Sequence, residues 1–219
     1  DPDGDIKTTS DRFWEHHTHG ETSLITPEQA RGLRTTHFSF SFVRNPFDRL
    51  VAAYNNKLLE IDDVPRPMKQ MGLHHGMPFP QFIDILCRCD PEELDNHVRP
   101  QSDMLIAHDI LVPKFVGRME HINEHWHALR RRMKKENLPA LGRLPRKNIR
   151  RQGRSDILER FNSTTLIDAI LQRYARDFEY FYSAYSVDNL LQGDQLVKHP
   201  PLQRLGSQPK NLQLYQHTA

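Results

Sequence analysis

Cysteine is almost missing: the 219 residues contain two, Cys87 and Cys89. One intervening residue makes a structural disulfide between them awkward, and neither has a distant partner. A disulfide-stapled scaffold is therefore excluded and a reducing compartment fits best. Two cysteines alone make no zinc site. No run of 18 apolar residues occurs, so no segment reads as a membrane-spanning helix. Excess charge is small as well: 30 Lys and Arg against 28 Asp and Glu leave +2, too little to imply a nucleic-acid partner. Apolar residues are 37% of the chain, which makes the core modest for the length. No internal repeat is visible, and the length suits one ordinary domain.

Against that background the run Phe42-Val43-Arg44-Asn45-Pro46-Phe47-Asp48-Arg49-Leu50-Val51-Ala52-Ala53-Tyr54 stands out. His37 to Val43 alternates, with Phe38, Phe40 and Phe42 on one face, which predicts a strand. Asn45 is a preferred N-cap and Pro46 suits the first helical position. Phe47, Leu50, Val51, Tyr54, Leu58 and Ile61 then recur at helical spacing, predicting a helix over about 46–61. Arg44 would end a strand beside free amides at a helix N-terminus, where open α/β sheets bind anions. Alternatively, Arg44 caps a loop or pairs with Asp48.

The remaining chain reads as mixed α/β. Thr26 caps a short helix over 26–34. Pro65, Pro67, Gly72 and Gly76 mark a loop. Phe79 to Cys89 is helical, and Asp95 to Gln101 is a loop. Leu111 to Val116 predicts a second strand, with Pro113 at its edge or start. His121 to Asn137 is helical and basic at its end, as the helix dipole favours. Residues 139–154 are a basic loop. Asp156 to Phe161 and Thr164 to about Tyr182 are helical, with Tyr174, Phe178 and Phe181 as core and Asp177 as an anchor of the last helix. From Ser186 the composition loses period and predicts a loosely ordered tail.

The residues 44–54 resemble the 3′-phosphate-binding motif of the carbohydrate sulfotransferases of the family 2 type, close to R-[ND]-P-[FYL]-x-R-L-V-S-x-Y. Four weaker matches follow in order. His97-Val98-Arg99-Pro100-Gln101 is similar to H-x-x-P-Q, and Phe115 to Glu120 to a strand-ending G-R-x-E. Leu144 to Asn148 is similar to L-P-x-x-N, and Tyr174 to Phe181 to Y-x-x-D-x-x-x-F. The resemblance implies a layered parallel sheet with flanking helices, of the P-loop nucleotide-kinase-like sulfotransferase type. It implies transfer of a sulfuryl group from 3′-phosphoadenosine 5′-phosphosulfate to a hydroxyl, on a carbohydrate or another acceptor, without a metal. The implied divisions are a polar lead-in over 1–36, a sulfotransferase-like domain over 37–185 and a tail over 186–219.

Under this resemblance Arg44 holds the nucleotide 3′-phosphate. Ala52 replaces a serine that contacts the same phosphate, and Asn148 belongs to the nucleotide site. His97, Arg99 and Gln101 belong to the acceptor side. Sulfuryl transfer needs a base for the acceptor proton, and histidine suits it. His17-Thr18-His19 resembles the histidine pair of 2-O glycan sulfotransferases, with His19 as the base and His17 as its alternative. A solvated histidine-rich loop is the rival reading.

The family's opening strand and glycine-rich loop, which cradles the 5′-phosphosulfate, has no match before Arg44. Lys7-Thr8-Thr9-Ser10 has the lysine and hydroxyls but no glycine. The sequence therefore suggests a fragment, a trimmed form or a degenerate paralogue, with little transfer by these residues alone. The start, Asp-Pro-Asp-Gly, shows no charged-then-apolar leader. Bacterial cytoplasm is the expectation, or the Golgi lumen if the start is trimmed. A non-catalytic relative that binds nucleotide or glycan weakly is the second hypothesis, and a basic helical interaction protein the third.

Overall fold

The computed structural model describes residues 25–144, 154–193 and 201. It opens with helix α1, Pro27–Leu33, closed as the sequence predicts: Gln29 N–H donates to Thr26 Oγ1 and Thr26 N–H to Gln29 Oε1. Strand β1 is Phe40–Val43, shorter than the predicted 37–43. Its alternation separates two packed environments instead of core from solvent. Val43 enters the main core, while Phe42 joins a smaller cluster with Phe115 and Trp126.

Helix α2, Pro46–Tyr54, starts at Asn45, whose Oδ1 accepts from Phe47 N–H. It buries Phe47, Leu50, Val51 and Tyr54, the residues spaced for it. It does not continue unbroken to 61: a π-helical turn, Asn55–Leu59, widens its last residues. The proline-rich stretch read as loop includes a short helix, α3, Arg66–Gln70, which Pro65 and Pro67 start and do not break. Helix α4, Phe79–Arg88, buries Phe82, Ile83 and Leu86.

The strand expected over 111–116 is corrected. Helix α5, Gln101–Leu105, leads into a hairpin of β2, Ile106–Ala107, and β3, Ile110–Leu111, and the chain then forms β4, Phe115–Arg118. Pro113 lies between β3 and β4, where its missing N–H interrupts no ladder. Strand β4 pairs parallel with β1, Phe40 facing Phe115 and Val43 facing Arg118.

Helices α6, Ile122–Lys135, and α7, Arg154–Arg160, follow. The single helix expected to Tyr182 is two, α8, Thr164–Arg173, and α9, Ala175–Tyr182, with the bend at Tyr174 (φ −107°, ψ 24°). The tail expected from Ser186 is also corrected. Ser186 caps α10, Val187–Gln192, whose Leu190 and Leu191 are buried in the main core. The packed domain thus extends beyond residue 185. Among the described residues no helix is long and apolar enough to cross a membrane.

One glycine in β4 is fixed by a close approach. A Cβ on Gly117 would lie 2.2 Å from Cε1 of Phe42, its register partner. Phe115 and Trp126 pack the Phe42 ring at centroid distances of 6.2 and 6.1 Å, so it has little room to swing aside. Gly117→Ala is expected to cost about 1–3 kcal/mol as an overpacked site. In urea unfolding this would lower the midpoint at constant slope. A change below about 0.5 kcal/mol would show that the ring moves away freely.

Candidate active site

Because β1 and β4 are parallel, both end at the same edge. Arg44 and Asn45 follow the first, and Met119 and Glu120 follow the second. Ligands of open α/β sheets sit outside this edge. The expected free amides are not there, however. Arg44 N–H donates to Gln101 Oε1 at 2.8 Å, Asn45 N–H to Glu120 Oε1 at 2.6 Å, and Phe47 N–H to Asn45 Oδ1 at 3.2 Å. Pro46 has no N–H. The amides of Arg44, Asn45 and Phe47 are therefore taken by the protein's own side chains, which leaves the Arg44 guanidinium as the candidate anion holder at this edge.

Glu120 is the acid that takes the anion's usual place. Its Oε1 accepts from Asn45 and its Oε2 from Tyr182 Oη at 3.1 Å. Burial pushes its carboxyl above the ordinary range and the nearby Asp48 charge adds to this, against the bonds from Asn45 and Tyr182. A raised folded pKa contributes stability that is fully present below the unfolded value, about 4.3, and is lost as pH rises through the folded value. Glu120→Gln keeps an acceptor for Asn45 and presents a donor to Tyr182 without the charge. The stability of this variant minus that of the wild type should grow from pH 4 to pH 8. A difference independent of pH would show that Glu120 titrates in its ordinary range.

Gln101 and Asp177 fix the other side. Gln101 Nε2 donates back to Arg44 O at 2.8 Å, so one carboxamide takes both backbone groups of Arg44. Asp177, fully buried on α9, accepts from Gln101 N–H at 2.9 Å, Gln101 Nε2 at 3.3 Å and Ser102 N–H at 2.7 Å. It thereby caps α5 from a distant helix, the anchoring role expected of it. Tyr174 Oη donates to Val98 O at 2.6 Å, and burial lifts the Tyr174 phenol above its usual value. Asn45 Nδ2 reaches Leu190 O on α10 at 2.7 Å.

Arg49, the second arginine of the opening motif, carries the loop of His97. Its Nη1 donates to Arg99 O at 2.5 Å and its Nη2 to Asn96 O at 2.7 Å. Burial lowers its pKa against the attraction of Asp177 and Asp95, and the Arg44 charge acts in the same direction as burial. On the surface of the loop, His97 Nδ1 is 2.7 Å from Asp95 Oδ1, which also accepts the His97 N–H at 2.8 Å. Arg99 turns back to the carbonyls of Glu92 and Leu94.

Of the predicted site residues, Arg44 and Gln101 meet at the end of β1, the loop of His97 and Arg99 is tied to Arg49 on α2, and half-buried Ala52 lies one helical turn beyond Arg49. Gln101 is engaged with the protein through both polar atoms, so it orients Arg44 and does not face an acceptor as expected. Arg99 spends its Nε and Nη2 on its own loop. His17, His19 and Asn148 lie outside the described residues. The sequence reading missed Arg49, Asp95 and Glu120. Arg49 and Glu120 stand inside the matched motifs, but their partners lie 47 to 75 positions away and left no local signal.

Comparison with known proteins agrees with this convergence of motifs. The family model described as "Sulfotransferase family" matches residues 2–183, and the chain belongs to that family of transferases. It is similar to carbohydrate sulfotransferase 14 of Mus musculus and of Homo sapiens, each 33% identical over 88 residues. That similarity covers 35% of this chain and 23% of each relative, so the chain spans about a quarter of the length of the curated relatives it matches. No solved structure matches it.

Proposed function

We propose that the chain is the core of a sulfotransferase moving a sulfuryl group from 3′-phosphoadenosine 5′-phosphosulfate to a carbohydrate hydroxyl. Its two parallel strands would belong to a layered sheet of the P-loop nucleotide-kinase type. The observation that carries this reading is the meeting of four separate family segments at one end of β1 and β4, where Arg44 follows the first strand and Glu120 the second. In a reaction that spreads negative charge over transferring and leaving oxygens, positioned cations supply most of the catalysis. Arg44 would meet the nucleotide 3′-phosphate and Asn148 the same ligand. His97 would line the acceptor side; the sequence alone offers His19 for the base, and that residue lies outside the described ones. Titration with 3′,5′-adenosine bisphosphate tests the nucleotide site, and sulfation of a glycan panel tests the reaction. Absence of both would sink the reading.

A second reading, a relative that binds without transferring, is favoured by two features. Ala52 lacks the hydroxyl implied for its position, and the amides at the start of α2 are already occupied. Ala52→Ser is therefore expected to tighten bisphosphate binding by a few tenths to about 1.5 kcal/mol, one added hydrogen bond to a charged group. Calorimetry showing equal or weaker binding would mean that this turn of α2 does not face the ligand.

A further inference from the structure

We propose that His97, held by Asp95, is the base that takes the acceptor proton; the inference rests on the sulfotransferase reading above. An ionised carboxylate only accepts, so the 2.7 Å contact places the proton of neutral His97 on Nδ1. Nε2 is then the lone-pair nitrogen, on the ring edge away from Asp95. Among the described residues none bonds to Nε2, and the side chain is 50% exposed while the Asp95 carboxylate is only 9% exposed. A sheltered acid thus orients an accessible imidazole, the arrangement that fixes the tautomer of a histidine base. The Asp95 carboxyl supports this role: burial raises its pKa, yet the bonds from the His97 ring and amide, with the charges of His97 and Lys57, bring it below the ordinary range. It therefore stays ionised and stabilises the imidazolium once the proton arrives.

The placement is as specific as the pairing. Arg49 binds the carbonyls on both sides of His97, those of Asn96 and Arg99, so the loop is tied to α2, Pro46–Tyr54, two residues beyond Arg44. The base is thus carried by the helix that follows Arg44 in the chain. In the step, the acceptor oxygen forms a bond to sulfur as its proton passes to His97 Nε2. The bond from sulfur to the 5′-phosphate oxygen breaks, and adenosine 3′,5′-bisphosphate leaves with that electron pair.

The test uses the protein at its full natural length, with the phosphosulfate donor and a glycan acceptor. His97→Ala and His97→Gln should each lower kcat by about 10²- to 10⁴-fold, the usual worth of a general base. Their Kd for the bisphosphate should stay within about twofold of the parent, because a base acts on the acceptor proton. Nitrogen NMR of the parent should show the proton on Nδ1, and Asp95→Asn should lose both that preference and most of kcat. The acid limb of the parent rate profile should coincide with the His97 ionisation read by NMR. Parent-like kcat in both His97 variants would overturn the base and leave the proposed function standing. A loss confined to His19→Ala would return the role to that residue. A parent that binds no bisphosphate and sulfates nothing would overturn the functional reading, and this inference with it.

Discussion

Asp177→Ala should destabilise the domain by about 3–5 kcal/mol, the range for removing one partner from a buried charged network. Its carboxylate accepts two backbone N–H groups at the start of α5 and the side-chain amide of Gln101, all away from water. Alanine leaves those donors without an acceptor and opens a small void beside them. Asp177→Asn keeps an oxygen but loses the charge and presents an amide to other donors, so about 1–3 kcal/mol is expected. A domain of this size has about 5–15 kcal/mol in total. Urea unfolding of the pair should therefore show ordered losses, with the alanine variant close to unfolding at 37 °C. A loss below about 1 kcal/mol for alanine would mean that water takes over the capping role.

The second large effect concerns ligand binding. Arg44→Ala should weaken binding of 3′,5′-adenosine bisphosphate by about 2–4 kcal/mol, roughly 30- to 1000-fold in Kd. The backbone at this position does not depend on the arginine side chain for its bonds to Gln101. Gln101 grips Arg44 by its backbone N–H and carbonyl, which any residue supplies. These two bonds remain available when the guanidinium is lost. With the amides of Arg44, Asn45 and Phe47 already bonded internally, little remains there to replace the missing charge. Calorimetry showing unchanged affinity, with the unfolding midpoint intact, would move the phosphate site elsewhere.

The legible parts of the fold were those set by near neighbours. Thr26 with Gln29, Asn45 with Pro46 and the stripe Phe82, Ile83 and Leu86 each act within a few residues, and each formed as their spacing predicts. The edge of the sheet was only half legible. Its residues were visible as motifs, but their bonds join Asn45 to Glu120, Gln101 to Asp177 and Asn45 to Leu190. Such separations carry no periodicity, so the amides at the start of α2 looked available when they were occupied. The hairpin Ile106–Leu111 was missed because two-residue strands are too short to show alternation, and its turn uses His108 and Asp109 at positive φ in place of glycine. Helix α10 was missed because one capped turn and two leucines look like tail composition; its stability comes from burial against a core made by distant segments.

The grip of Gln101 on Arg44 has a chemical consequence. A carboxamide has the same donor and acceptor pattern as a peptide group, so this side chain acts as a loose peptide unit joined to β1 from another part of the chain. Its nitrogen is the vulnerable atom. Deamidation would replace a donor by a second acceptor, and that acceptor would face both the Arg44 carbonyl and the Asp177 carboxylate. One hydrolysed amide would thus set two negative groups against each other at the base of the site.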